Sequence, residues 1–220
     1  MIVVGISGKA RAGKDTLAQY LSSHYDSYTI ALADPIKRMA LHLGATADQL
    51  WGPSGRETPI PYKTPEGQDI AVRLCLTALG TEVGRLLSPN LWLDICAATI
   101  ELLKAEVPHG LTHAYSHEKG VVLNAFARKT LDMVIIPDLR FENEMRYVRE
   151  RLGGVIFRIT RSDVTTRDDL QKHSSETEQD GVPDTFFDRV LRNDGTMEQF
   201  ASNVGEPALE TIRAFARKNT

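Results

Sequence analysis

The chain has 220 residues, with 26 lysines and arginines against 29 aspartates and glutamates, for a formal net charge of −3. That length is enough for one well-buried domain with small insertions, and the slightly acidic balance excludes a global basic field aimed at a nucleic-acid polymer or an anionic membrane. No apolar run approaches the roughly 20 residues of a membrane span, the opening MIVVGISG runs straight into a strand pattern, and Cys75 and Cys96 both sit in helical patterns, so a soluble cytoplasmic domain is expected.

Residues 2–7, IVVGIS, form a short apolar run ending at a glycine-rich loop, as a buried first strand does. Residues 14–25 carry helical spacing through Leu17, Tyr20 and Leu21. YTIALA (28–33) reads as a second strand. DPIKRMALHLG (34–44) reads as a helix with Asp34 as its N-cap, Pro35 at its first position and Gly44 at its end. Between 52 and 69, Pro53, Pro59, Pro61 and Pro65 with three glycines suggest a mobile loop. From about 69 to 106 the pattern is helical, broken at Pro89. Val72, Leu76, Leu79, Val83 and Leu86 form an apolar stripe, and Arg73, Thr77, Thr81 and Arg85 a polar one on roughly the opposite face.

Residues 107–130 fit no element. LDMVIIPD (131–138) is a buried strand ending in a carboxylate, ENEMRYVRERLGG (142–154) a helix closing on glycines, and VIFRIT (155–160) the next strand. A polar stretch occupies 161–181. RVLRND (189–194) is the last strand, and TMEQFASNV opens a helix with a Thr196/Gln199 capping box. Strands alternating with helices predict an α/β fold: a parallel sheet flanked by helices on both faces, with ligands at the carboxyl ends of the strands.

The stretch GKARAGKDT (8–16) supplies what a phosphate-binding loop needs. Gly8 and Gly13 free the backbone to turn its N–H groups inward, a helix N-terminus follows, and Lys14 can bridge β- and γ-oxygens. Lys9 and Arg11 add cations, and Ala12 lies inside the loop. The general pattern, however, has a hydroxyl where Asp15 stands, with Thr16 one place later. Asp15 either complements the helix dipole, a matter of about 0.3–1 kcal/mol, or faces a magnesium ion as a hard oxygen ligand.

The loop GKxxxGKDT resembles that of the bacteriophage-type deoxynucleoside monophosphate kinases, and the related loop of animal-type phosphomevalonate kinases. LGTEVGRLLSPNLW (79–92), IIPDLRFENE (135–144), HSSETE (173–178) and VLRNDGTMEQF (190–200) extend the resemblance to the phage kinases in order along the chain. The Thr-Glu-x-Gly-Arg…Trp segment is what favours nucleotides over phosphomevalonate. The resemblance implies a P-loop kinase fold in a single domain, with a helical substrate-binding insertion over 34–106 and a lid over 161–181.

It also implies ATP with Mg2+ as cofactors, Lys14, Arg11, Asp138 and Arg140 at the reacting phosphates, and Asp15 and Asp138 at the metal. Thr16 would contact the α-phosphate, while Asn193 and Asp194 would lie near the adenine. The acceptor would be met by Asp34, Lys37 and Arg38 in the LADPIK turn, by Arg73, Arg85 and Arg140, and by Trp92, Phe141 and Glu176. Several of these have plainer readings. Arg85 could pair with Glu82 on its own helix, Asp138 could cap the helix after it, and Trp92 and Phe141 could be core. The 34–38 turn could be only a well-capped helix, and the lid only a solvated loop. His109, His113 and His117 are four apart, but Pro108 and Gly110 argue against the helix that would align them as zinc ligands.

The activity expected is phosphoryl transfer from ATP to a deoxynucleoside monophosphate, serving viral DNA precursor supply in a host cytoplasm. A phosphomevalonate-type kinase and a nucleotide-binding regulatory protein without turnover are the alternatives. No membrane partner is expected, and a homodimer is left open.

Overall fold

The structure, a computed structural model, describes residues 1–52, 55–105, 113–116, 120–123, 131–162 and 181–218, with 113–116 and 120–123 given by backbone alone. In chain order its elements are β1 (Ile2–Ser7), α1 (Lys14–His24), β2 (Ser27–Thr29), α2 (Asp34–His42), α3 (Ala47–Trp51), β3 (Pro59–Lys63) and β4 (Asp69–Ala71). There follow α4 (Val72–Thr77), a π-helical turn Ala78–Val83, α5 (Gly84–Leu87), α6 (Leu91–Lys104), β5 (His113–Ser116) and β6 (Gly120–Leu123). The chain closes with β7 (Met133–Leu139), α7 (Glu142–Glu150), β8 (Val155–Thr160), β9 (Arg189–Arg192), a second π-helical turn Ala201–Gly205 and α8 (Glu206–Lys218). These form two compact units, Met1–Ala31 with Thr130–Thr220, and Leu32–Lys129.

The first unit is built on a five-stranded sheet of order β2-β7-β1-β8-β9. Every pairing in it is parallel. β1, β7 and β8 are nearly continuous apolar runs because both faces of a parallel sheet are covered. On one face, Leu17 and Leu21 of α1 and Ala208, Leu209 and Ile212 of α8 pack with Val4, Ile6, Ile135, Phe157 and Leu191. Each leucine fully buried there is worth about 1.5–3 kcal/mol. On the other face lies α7, where Val148 approaches Gly5 so closely that a Cβ there would lie 3.3 Å from its Cγ1. The α/β fold, with its parallel sheet and helices on both faces, is thus the one expected. β2 is shorter than its apolar run: only Ser27–Thr29 pairs with β7, since a strand lasts only as long as its neighbour offers partners.

The second unit departs more from the pattern. The proline-rich stretch expected as a loop holds an antiparallel pair, β3 with β4, and Ile60 is buried between Ala40, Leu50, Val72 and Cys75. Pro59 and Pro61 are tolerated because a two-stranded ribbon has only edges. α2 starts at Asp34, so Ala33 and not Asp34 occupies the N-cap.

The apolar stripe is also rephased. Val72 is buried, but Val83 is 46% and Leu86 84% exposed. The π-helical turn inserts an extra residue into the helical repeat, so Gly80 and Gly84 face inward where 79 and 83 would have. The missing side chain of Gly84 admits Trp92, which follows an 87° break around Pro89, and that of Gly80 admits Ile36.

Among the described residues no single helix is long and apolar enough to cross a membrane. Both cysteines are buried and free, as expected of core residues, and burial raises the pKa of the Cys75 thiol.

Candidate functional site

β1 ends at Ser7, and the chain turns through residues 8–13 into α1. Two glycines make the turn. Gly8 has φ 153°, and a Cβ there would lie 2.4 Å from the Ile159 carbonyl oxygen on β8. Gly13 has φ 108°, and its Cβ would lie 2.5 Å from Asn193 Nδ2. Only glycine satisfies both constraints. Arg11 adopts a left-handed φ of 63°, which costs an L-residue about 1–2 kcal/mol.

Ala12 is buried, and its carbonyl accepts from Asn193 Nδ2 at 2.8 Å. The Lys14 ammonium arches back over the loop, donating to the Gly8 carbonyl at 2.8 Å and the Lys9 carbonyl at 2.9 Å. Gly13, the N-cap of α1, offers no side chain to the first-turn N–H groups. Uncapped N–H groups, the dipole's positive end and a lysine held over glycines are the elements of an anion site.

The loop borders a cleft of about 360 Å3 lined by Arg11, Gly13, Lys14, Asp15 and Thr16, by Arg161 at the end of β8, and by Asn193, Gly195, Thr196, Met197 and Phe200 after β9. The volume falls within the range of about 300–1,000 Å3 usual for small-ligand sites. Asp15 is exposed in the first turn of α1, where a carboxylate can reach an ion on bound phosphates.

Asp138 stands at the carboxyl end of β7, beside the end of β1 where Ser7 is in register with Leu139. It does not cap the following helix. Phe141 is that N-cap, and buried Glu144 closes the turn by accepting from the N–H groups of Arg140 at 2.7 Å and Phe141 at 3.0 Å. Among the described residues no three His, Cys, Asp or Glu side chains converge on one point. Magnesium sites that share an ion with substrate phosphates need only one or two carboxylates, so Asp15 and Asp138 suit such an ion.

Asn193 and Asp194 both serve the architecture. Asn193, 5% exposed, braces the loop, and Asp194 Oδ1 accepts from the Ser162 N–H at 2.7 Å, joining the ends of β8 and β9. That hydrogen bond is the leading reason the Asp194 carboxyl is held below its usual pKa.

In the second unit the expected acceptor residues differ in their engagements. Lys37 lies 3.7 Å from the Asp34 carboxylate, with its ammonium 5.5 Å from the centre of the Trp51 ring. Arg38 has a buried Nε without a hydrogen-bond partner among the described residues. Arg73 is ion-paired with Glu57 at 2.6 Å, and Arg85 is half-buried in α5. Trp92 is 9% exposed and donates its indole N–H to the Gly80 carbonyl at 2.8 Å. Of its two readings, packing is the one this geometry carries, and Phe141, also buried, goes the same way.

Glu176 and nearly all of the expected lid lie outside the described residues, as do His109 and His117. His113 is in a strand rather than a helix. Sequence reasoning missed the clamp by Glu144, which its spacing to Arg140 and Phe141 could have signalled, and the places of Met197 and Phe200 in the cleft, which had no local signal.

Residues 2–50 match the profile of the deoxynucleotide monophosphate kinase family. The chain is similar to the deoxynucleotide monophosphate kinases. A protein of Acanthamoeba polyphaga mimivirus, provisionally named a deoxynucleotide monophosphate kinase, is 27% identical over 211 residues, covering 93% of this chain and 94% of its own. Among solved structures, dephospho-CoA kinase from Campylobacter jejuni aligns over 99% of this chain and 98% of its own, with 16% identity and a TM-score of 0.43. The matched span 2–50 takes in the loop, Asp15, Thr16 and the Asp34–Lys37–Arg38 turn.

Proposed function

We propose that this protein transfers the γ-phosphoryl group of ATP to the 5′-phosphate of a deoxynucleoside monophosphate, giving ADP and the deoxynucleoside diphosphate. The observation that carries the reading is the glycine-cradled loop with Lys14 folded over it, opening α1 beside a cleft of nucleotide size. The kinase class and the acceptor are supported by the family match over 2–50 and by the mimivirus relative.

An oxygen of the acceptor phosphate attacks the γ-phosphorus, and the bond from that phosphorus to the β,γ-bridging oxygen breaks, leaving its electron pair on ADP. The acceptor is already an anion at neutral pH, so no general base is required. The protein's task is positioning and charge compensation. Lys14 exchanges the Gly8 and Lys9 carbonyls for phosphate oxygens, and Arg11 adds a second cation from the loop. Arg140, at the carboxyl end of β7, suits the acceptor phosphate with its planar fork. Arg38 and Arg85 serve the acceptor as well. Asp15 and Asp138 would hold a magnesium ion, which would supply neutralisation of the phosphate charge.

Viral DNA precursor supply in a host cytoplasm is the setting that the mimivirus relative supports. The test is ADP formation with magnesium, ATP and a panel of deoxynucleoside and ribonucleoside monophosphates plus phosphomevalonate, with Lys14→Ala as control. Turnover on one or more deoxynucleotides is expected, falling at least about 100-fold in the control, as for loss of one preorganised phosphate donor. Turnover on phosphomevalonate alone, or ATP binding without turnover on any acceptor, would overturn the reading.

A further inference from the structure

The wall of the cleft changes character away from the loop. Met197 stands there 71% exposed, next in the wall to Phe200. A single exposed methionine on an open surface would carry nothing, but this one lines a cavity with a second apolar side chain that is held in place. Phe200 meets the Tyr20 ring edge-on at 6.3 Å, and Tyr20 is itself fixed by donating to Glu206 at 2.9 Å. The π-helical turn Ala201–Gly205 closes on the same ring, since a Cβ on Gly205 would lie 2.4 Å from it.

Several polar groups of this turn are already committed. The Thr196 N–H donates to Gln199 Oε1 at 3.1 Å, and its hydroxyl serves the Glu198 carboxylate. The Thr196 and Met197 carbonyls each accept a backbone N–H at 3.2 Å, from Gln199 and Phe200. The Asn193 amide nitrogen holds Ala12, and Asp194 holds Ser162.

We propose that Met197 and Phe200 form the purine-base subsite of the phosphoryl donor, and that they read the base by apolar contact with its face, so that ATP and GTP serve alike as donors. The inference rests on the donor site proposed above. Adenine and guanine offer faces of nearly the same size but opposite donor and acceptor patterns at position 6. Rejecting one needs a fixed polar group aimed at that edge, and a site built that way reaches factors of about 10^4–10^5, whereas an apolar pocket does not. Arg161, the one charged side chain lining the cleft outside the loop among the described residues, meets either purine face equally well.

The test is calorimetric titration of the protein, with magnesium and without any acceptor, by ATP, GTP and inorganic tripolyphosphate, repeated on Met197→Ser. ATP and GTP are expected within about tenfold of each other, in keeping with apolar recognition, and tripolyphosphate at least about tenfold weaker than ATP. The variant should weaken ATP and GTP by one common factor of about 3–10 and leave tripolyphosphate unchanged. GTP binding more than about 100-fold weaker than ATP, tripolyphosphate matching ATP, or equal losses for tripolyphosphate and ATP in the variant would each overturn the proposal. Because no acceptor is present, failure of acceptor turnover leaves these results standing, and failure here with turnover intact removes only the base subsite.

Discussion

The contact between Gly13 and Asn193 makes a quantitative test of how the loop is held. In Gly13→Ala the new methyl group would lie 2.5 Å from Asn193 Nδ2 and 3.3 Å from Ile159 Cδ1. The amide is the far end of a side chain, yet it cannot swing aside cheaply, being buried and bonded to the Ala12 carbonyl. Overpacking of this kind costs about 1–3 kcal/mol, and the left-handed backbone adds about 1–2 kcal/mol for an alanine. Asn193→Ala alone leaves the buried Ala12 carbonyl without its partner, a loss of about 1–3 kcal/mol. In the double variant the clash is gone while the backbone strain and the orphaned carbonyl remain. The two losses should therefore fall short of additivity by about 1–3 kcal/mol, well beyond the 0.5 kcal/mol scatter of independent sites. Urea unfolding of the four proteins measures the cycle, and additivity within that scatter would refute the account of the loop.

Three further outcomes are expected. Arg11→Gly should raise stability by about 1 kcal/mol through relief of the left-handed backbone, while weakening ATP binding in the same titration used for the donor site. Trp92→Phe should lose about 0.5–1.5 kcal/mol, because the indole hydrogen bond to the Gly80 carbonyl is removed, and should leave the KM for the acceptor unchanged; a raised KM with unchanged stability would restore the ring to the substrate.

The Asp194 carboxyl, depressed chiefly by the Ser162 N–H, stabilises the fold above the ordinary carboxylate range and loses that contribution as pH falls through its folded pKa. Asp194→Asn should therefore flatten the dependence of melting temperature on pH below about 4, and an unchanged acid limb would show that the bond carries no linkage.

The sequence was most informative where physics acts over a few residues. The apolar runs at 2–7, 131–138 and 155–160 announce buried parallel strands, and two glycines before a lysine announce a loop that cradles anions. The second unit was legible in outline only. Its prolines suggested a loop where a ribbon forms, because proline is excluded from central strands but not from edges. Its apolar stripe lost phase at a π-helical turn, which no local spacing marks. Asn193 was expected beside the adenine; what the structure shows of its side chain is the bond under the loop to the Ala12 carbonyl.

What the sequence determined by itself is therefore the chemistry: a strand, a flexible glycine turn, a cation and a helix N-terminus in immediate succession, all within hydrogen-bonding reach along the chain. What only the tertiary structure decided is the company those residues keep. Asn193 reaches Ala12 across 181 positions, and Met197 and Phe200 line a cleft begun by Arg11. Such meetings are set by the strand order β2-β7-β1-β8-β9, which brings the end of β9 to the loop through β8. Strand order follows from which packing buries the most apolar surface at once, a property of the whole chain that no short stretch of it carries.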